Sequence, residues 1–294
     1  MEKRKKLKFT FDGKTVVRLL LRTLLYLILI FIAVIMMYPF LWMLGTSFKS
    51  PHENLTNLGV YLFPKEFTFD NYPNVFRIIP FWRGLGNTLT IVFTVIPVGM
   101  FTTFMGAYGF AKLKFPGKNI IFMILLTGMM LPFVATFMPQ FVAYTKLGFH
   151  DSLFPLIFGG LFGSLGVLFF LRQFMANIPN DLIEAAKIDG AGQFRICWQI
   201  IFPLSLPAVA TQVVFWFLAI WNDVFGPDMY LVSVDKKTLQ IMMKWLDMTA
   251  ASGGLRNRGM LMAGSVLCSL PTLILYLTCQ KFFVGSIAIS GIKG

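Results

Sequence analysis

The sequence predicts an all-α integral membrane protein built as a six-helix bundle. The chain has 294 residues, of which 56% are hydrophobic and only 13% charged, against roughly 25% charged in a typical soluble domain. Its mean hydropathy is +0.72. The apolar residues gather into six runs, approximately 23–44, 88–111, 120–143, 153–171, 204–221 and 260–280. Each is near the ~20 residues that a helix needs to cross a bilayer core.

The elements follow in order. The first 22 residues carry Lys3, Arg4, Lys5, Lys6, Lys8, Lys14, Arg18 and Arg22, a density that holds an N-terminus in the cytoplasm. The apolar run after them is longer than a signal peptide's and no small-residue cleavage site follows, so 23–44 is expected to stay as the first span. With six spans, the cytoplasmic loops become 112–119, rich in Lys112, Lys114 and Lys118, and 172–203. The external loops, 45–87 and 222–259, are longer and mixed in sign. Pro39, Pro97, Pro132, Pro155 and Pro271 lie in or near the spans, where neighbouring helices can satisfy the carbonyls that proline frees. Gly99, Gly106, Gly109, Gly159, Gly160, Gly163 and Gly264 allow close helix approach.

Several functions are disfavoured by what these runs lack. No Gly-x-x-x-x-Gly-Lys-Ser/Thr phosphate loop occurs, so any ATP hydrolysis belongs to another polypeptide. The ionisable residues nearest the spans, Arg172, Asp223 and Lys281, sit at span ends rather than at mid-membrane as in ion-coupled carriers. His52 and His150 fall in external loops, and Cys197, Cys268 and Cys279 have no metal-ligand spacing. The chain is therefore expected to hold no catalytic residue, metal or cofactor. The net charge of +13 lacks a soluble basic domain or an aromatic-interleaved basic face. It fits topology and anionic lipid headgroups, not nucleic acid.

The informative polar stretch lies between the fourth and fifth runs: Glu184-Ala185-Ala186-Lys187-Ile188-Asp189-Gly190. Asn180 and Asp181 offer N-cap oxygens after Pro179, and Asp181 with Glu184 has capping-box spacing. Ala185 and Ala186 favour helix and are small enough for a partner to approach. Gly190 stands where a chain leaves a helix in the left-handed conformation. A second helix, about 193–201, is expected to end before Pro203. The product is a helix–turn–helix knob on one side of the membrane.

This stretch resembles the Glu-Ala-Ala loop of ABC importer permeases: Glu184, Ala185, Ala186, Gly190, Ile200 and Pro203 fall in the family's spacing, with Phe202 where leucine is usual. The resemblance implies the type I ABC importer permease fold. It implies a coupling role for Glu184, Ala185, Ala186, Asp189 and Gly190 against separate ATPase subunits that bind ATP and Mg. Further fragments resemble the carbohydrate branch, of the maltose-permease second-subunit type. They are Met37-Tyr38-Pro39-Phe40-Leu41-Trp42-Met43 with Thr46-Ser47-Phe48-Lys49, then Trp221-Asn222-Asp223, Lys237-Thr238-Leu239, Met262-Ala263-Gly264-Ser265 and the ending Phe283 to Gly294.

On this likeness the chain divides into a basic tail 1–22, a first span with its external loop 23–82, a permease domain 83–283 and a tail 284–294. Trp221, Asn222 and Asp223 become candidates for the substrate path, although Trp221, like Trp42, also suits an interfacial belt and Asn222 with Asp223 also suits a helix cap. Gly253, Gly254, Arg256 and Asn257, in an external loop with a Gly-Gly tip, become candidates for contact with an extracytoplasmic sugar-binding protein. The implied assembly has a second, different permease chain, two ATPase subunits and a sugar substrate in a prokaryotic cytoplasmic membrane, with both termini of this chain cytoplasmic. A permease for a non-sugar solute and a non-transporting membrane sensor stand as alternatives.

Overall fold

The computed structural model describes residues 13–56, 61–252 and 257–290. The elements in chain order are α1 (Gly13–Ser47), α2 (Pro51–Thr56), α3 (Asn71–Ile78), α4 (Phe81–Lys112), α5 (Lys118–Met129), α6 (Phe133–Lys146), α7 (Phe154–Leu161) and α8 (Leu165–Ala176). After them come α9 (Asp181–Ile188), α10 (Gln193–Ile196), a π-turn (Cys197–Ile201), α11 (Phe202–Trp221), α12 (Phe225–Tyr230), a 3-10 turn (Val234–Lys236), α13 (Leu239–Ser252) and α14 (Arg258–Ser290). Among the described residues, five helices are long and apolar enough to cross a membrane, and α5 with α6 supply a sixth span only as a pair bent by 90°.

That bend corrects the expectation of one span over 120–143. Pro132 has no N–H to give, and its ring excludes the helical carbonyl four residues earlier, so α5 stops at Met129 and α6 restarts at Phe133. The fourth span is also interrupted. Gly163, at φ +95°, separates α7 from α8. Here α4 covers the freed backbone groups: Thr102 Oγ1 donates to the Leu161 carbonyl at 3.0 Å, and the Ser164 N–H donates to Thr103 Oγ1 at 3.2 Å. At the α4–α7 crossing a side chain on Gly99 would strike the Gly160 carbonyl and the Trp216 ring, so glycine is what lets these backbones meet.

Three buried apolar clusters form among the described residues, the smallest joining Phe137 of α6 to Tyr230 and Leu231, and the other two are larger. One joins Phe104, Ala107, Leu171 and Met175 to the Glu184 segment. The other joins Val75, Phe81, Phe217 and Trp221 to Leu239, Met242 and Leu246 of α13. The helix α1 stands apart: its apolar side chains from Leu19 to Leu41 are exposed and it packs chiefly on α14. Loops fall on two opposite faces. Residues 113–117 and 177–192 share one face, linked where Lys112 Nζ donates to the Ile178 carbonyl at 2.6 Å.

On the opposite face the first loop is a small folded unit rather than an open connector. Asn71 Nδ2 donates to the carbonyls of Ser47 and Lys49, Lys49 Nζ donates to the Tyr61 carbonyl at 2.6 Å, and the buried Glu53 carboxylate accepts from the N–H groups of Lys65 and Glu66. The second long segment on this face is also folded through Ser252. Asn87 Nδ2 donates to the carbonyls of Asp235 and Lys237, the Leu239 N–H donates to Thr88 Oγ1, and α13 then buries Leu239, Met242 and Leu246 completely.

Asp151 clamps this segment to the turn between α6 and α7. It sits at φ +52°, accepts from the N–H groups of Val232 and Ser233 at 2.9 Å, and also meets Ser233 Oγ and Lys236 Nζ. Those bonds, those from Ser233 foremost, hold its carboxyl well below the ordinary aspartate value of 3.8. With the folded-state pKa depressed, the clamp's contribution is complete above the ordinary value of 3.8 and is lost as pH falls from there through the folded-state pKa. Hydrogen exchange at 231–236 should therefore be flat from pH 8 to 5 after correction for intrinsic rates, and faster in Asp151→Ala throughout. Exchange in the parent that accelerates between pH 7 and 5 would contradict the clamp.

Candidate functional site

The Glu184 knob is closed by a Schellman motif: the Ala191 N–H donates to the Ala186 carbonyl at 2.9 Å and the Gly190 N–H to that of Lys187 at 3.0 Å. This requires a left-handed residue at the exit, and Gly190 has φ +79°. The expected N-cap is not formed. Asn180 is helical and its side chain bonds no backbone N–H; its Oδ1 accepts from Lys112 Nζ at 3.0 Å instead. Asp181 and Glu184 occupy the first turn of α9 without a capping box, where their charges still suit the helix dipole.

The second helix does not end before Pro203 either. The chain widens into the π-turn, where the Phe202 N–H donates to the Cys197 carbonyl, and runs on as α11 with Pro203 in its first turn. The extra residue moves the proline to a place where its missing N–H is not needed. The second helix of the knob, α10, is thus continuous with the fifth span.

Its inner side is anchored by Ile183, Ala186, Ile196 and Cys197 against α4 and α8, and Tyr108 Oη donates to Gln193 Oε1 at 2.8 Å. Ala186 therefore faces inward and only Ala185 presents a small outer surface. Glu184, Asp189 and Gly190 are exposed. The tip is apolar, with Ile188 87% and Phe194 67% exposed. Beside it lies a groove of about 190 Å³ bordered by Asp189, Arg195 and Gln199. Exposed charge around exposed apolar side chains, on a packed base, is the form of a docking surface.

A second feature lies at the other end of α11. A cavity of about 740 Å³ opens between α11, α13 and α14, with Phe40 of α1 at its edge. Trp221 and Asn222 border it, but Asp223 does not. Trp221 is a core residue, not a belt residue: it is 2% exposed, stacks on Phe217 at 5.2 Å and donates from Nε1 to the Cys268 carbonyl at 3.2 Å. Asn222 Nδ2 donates to the Leu218 carbonyl at 2.9 Å, which closes the helix end and leaves the amide oxygen for the cavity. Asp223 turns away, and its Oδ1 accepts from the Gly226 N–H at 3.1 Å. Burial pushes its carboxyl pKa up, against the pull of the Gly226 and Phe225 N–H groups.

Sequence reading missed most of this wall. Gln240 and Asp247 of α13 border the cavity, as do Ser265, Ser269, Thr272 and Tyr276 of α14. The last four recur at i, i+4, i+7 and i+11, one helix face; that periodicity was the available signal. Of the candidates for binding-protein contact, Gly253, Gly254 and Arg256 lie outside the described residues. Asn257 is the N-cap of α14, its Oδ1 accepting from the Met260 N–H at 3.1 Å.

Known proteins match this architecture. Bacillus subtilis Protein LplC is 31% identical over 90% of this chain and 91% of its own length. The arabinooligosaccharides transport system permease protein AraQ of Bacillus subtilis is 32% identical over 93% of this chain and 96% of its own. A bacterial ABC transporter involved in the import of the acidic polysaccharide alginate has the same fold, with a TM-score of 0.78 at 23% identity over 93% of this chain and 99% of that one. The family model described as binding-protein-dependent transport system inner membrane component matches residues 95–288. The chain belongs to that family, the non-catalytic, multi-pass membrane permeases of ABC importers.

Proposed function

We propose that this chain is the permease subunit of a carbohydrate importer, and that the Glu184 knob takes up the conformational work of separate ATPase subunits. The observation that carries the coupling role is the knob itself: a Schellman-closed helix, α9, with an exposed apolar tip, turned back onto α10, which runs through the π-turn into the span that borders the cavity. A push on Phe194 of α10 has a continuous helical path to Trp221 and Asn222. The carbohydrate reading is supported by the likeness to AraQ, a permease of an arabinooligosaccharide transport system, and by the hydroxyl-rich wall of α14. In the full assembly a second, different permease chain completes the pathway. Two ATPase subunits carry ATP and Mg, and an extracytoplasmic binding protein delivers the sugar. ATP binding shifts the inward–outward equilibrium by as much as the ATPases grip the two states differently. In this reading both termini and the knob lie in the cytoplasm, a placement supported by the lysines and arginines of the first 22 residues.

One experiment addresses orientation and activity together. The permease is co-purified with its ATPase subunits and reconstituted with binding protein; uptake of labelled oligosaccharide and ATP hydrolysis should both appear, and the permease alone should show neither. In intact cells, Asp189→Cys in a cysteine-free background should resist a membrane-impermeant thiol reagent. Strong labelling from outside, or saccharide-independent behaviour of the whole complex, would defeat the reading.

A further inference from the structure

We infer that the turn between α4 and α5 is a binding site for the phosphate headgroup of an anionic phospholipid, held by Lys114, Lys118 and Arg172. The site does not depend on which solute the transporter carries or on how the knob is used.

It begins as an excess of positive charge. Gly117, at φ +75°, turns the chain into α5, and a cavity of about 470 Å³ opens there beside Lys114, Lys118 and Asn119. Lys118 Nζ folds back to donate to the Leu113 carbonyl at 2.8 Å. Phe122 lies one helical turn further along the same face of α5, and the Arg172 guanidinium of α8 stands 4.2 Å from its ring centre. Each cation is within electrostatic reach of another, Lys112 of Lys118 and Lys118 of Arg172. Among the described residues no carboxylate pairs with Lys112, Lys114, Lys118 or Arg172. The groups that meet them, the Leu113 and Ile178 carbonyls, the Asn180 amide and the Phe122 ring, are neutral. Arg172 Nε is buried with no hydrogen-bond partner.

Like charges held together without a counter-ion repel, and partial burial strengthens the repulsion. A phosphodiester supplies what is missing. Its free oxygens are acceptors with one negative charge, the complement of ammonium and guanidinium donors. The first turn of α5 carries no acidic residue and no side-chain cap, so the helix dipole adds to the same preference.

The adjoining surface selects a lipid over free phosphate. Ile120 borders the cavity, and Ile120, Ile121, Met123 and Ile124 are exposed along α5. This helix has 12 residues, ~18 Å of rise, close to the depth of one leaflet of a ~30 Å core. Acyl chains lying on α5 therefore bring their headgroup to the level of the cavity. Charge selects the headgroup. A zwitterionic lipid carries its own ammonium, which would meet Lys114 and Lys118, whereas phosphatidylglycerol carries the anion alone.

The test places a reporter at the cavity rim. Asn119→Cys in a cysteine-free background is labelled with an environment-sensitive fluorophore and assembled with its partner subunits in neutral detergent. Phosphatidylglycerol should shift the emission with half-saturation at least tenfold below that of phosphatidylcholine with the same chains. Lys114→Gln, Lys118→Gln and Arg172→Gln should each raise that concentration about fivefold, the worth of one basic residue beside an anionic headgroup. Lys114 is exposed, so its substitution keeps the test valid where the arginine variant does not fold. Lys146→Gln, at the far end of α6, should change nothing. Inorganic phosphate at the lipid's concentration should not displace it. Equal response to the two lipids, or unchanged response in Lys114→Gln and Lys118→Gln, overturns the inference. Displacement by inorganic phosphate would make this a free-phosphate site and overturn the lipid assignment. A response that the permease shows alone and loses on assembly would give the cluster to the ATPase interface instead, and overturn it too.

Discussion

Gly190→Val is expected to abolish coupled uptake while leaving the membrane bundle intact. The residue sits at φ +79° and no heavy atom lies within 4 Å of where a Cβ would be, so the substitution acts through the backbone alone. A left-handed conformation costs an ordinary L-residue about 1–2 kcal/mol, and more for a β-branched one. The same amount is available by opening the two Schellman bonds and letting α9 swing away from α10. Gly190→Asn is the control, since asparagine tolerates this conformation, and it should retain most uptake. Glu184→Ala separates the partner's share from the fold's. The Glu184 side chain forms no cap, so its removal should leave the knob folded and weaken only ATPase association. Loss of one charge-assisted hydrogen bond, about 1.5–3 kcal/mol, corresponds to roughly 10- to 100-fold in affinity. Uptake, stimulated hydrolysis and ATPase-subunit co-purification would be measured for all three variants. If the valine and alanine variants are made at normal levels and behave as the parent does, the knob is only a connector.

Trp221→Ala should give the largest loss of stability, about 3–5 kcal/mol. The indole fills the junction of α11, α14 and the α13 roof, so its removal takes away the stack on Phe217 and the bond to the Cys268 carbonyl together. It also leaves a void that merges with the adjoining cavity. Trp221→Phe keeps most of the apolar volume and forfeits mainly the N–H bond, for which about 0.5–1.5 kcal/mol is expected. Thermal unfolding of the purified complex, followed by the exposure of buried Cys268 to a thiol reagent, would rank parent, phenylalanine and alanine in that order. An alanine variant as stable as the parent would show that the tryptophan is peripheral.

The sequence by itself determined the class of the molecule, its spans and the knob. Each is written in local chemistry: hydropathy over ~20 residues, lysine and arginine at one side, and a glycine where a helix must turn left-handed. Gly190 could be recognised because its requirement is a property of one residue's backbone. The tertiary structure alone decided everything that depends on what stands opposite. Pro132 breaks its span by 90° while Pro203 is absorbed by a π-turn, and no local rule distinguishes the two, because the outcome depends on how neighbouring helices satisfy the freed carbonyls. Asn180 had the right oxygen for a cap, yet Lys112, distant in sequence, claims it. Trp221 reads as an interfacial aromatic until α13 folds over it. The polar wall of the cavity was present as a periodicity in α14, but its meaning came from α13, whose Gln240 and Asp247 are brought across from it by the clamps at Asn87, Thr88 and Asp151. Such pairings close long loops, and the residues that profit from them carry no mark in the local sequence.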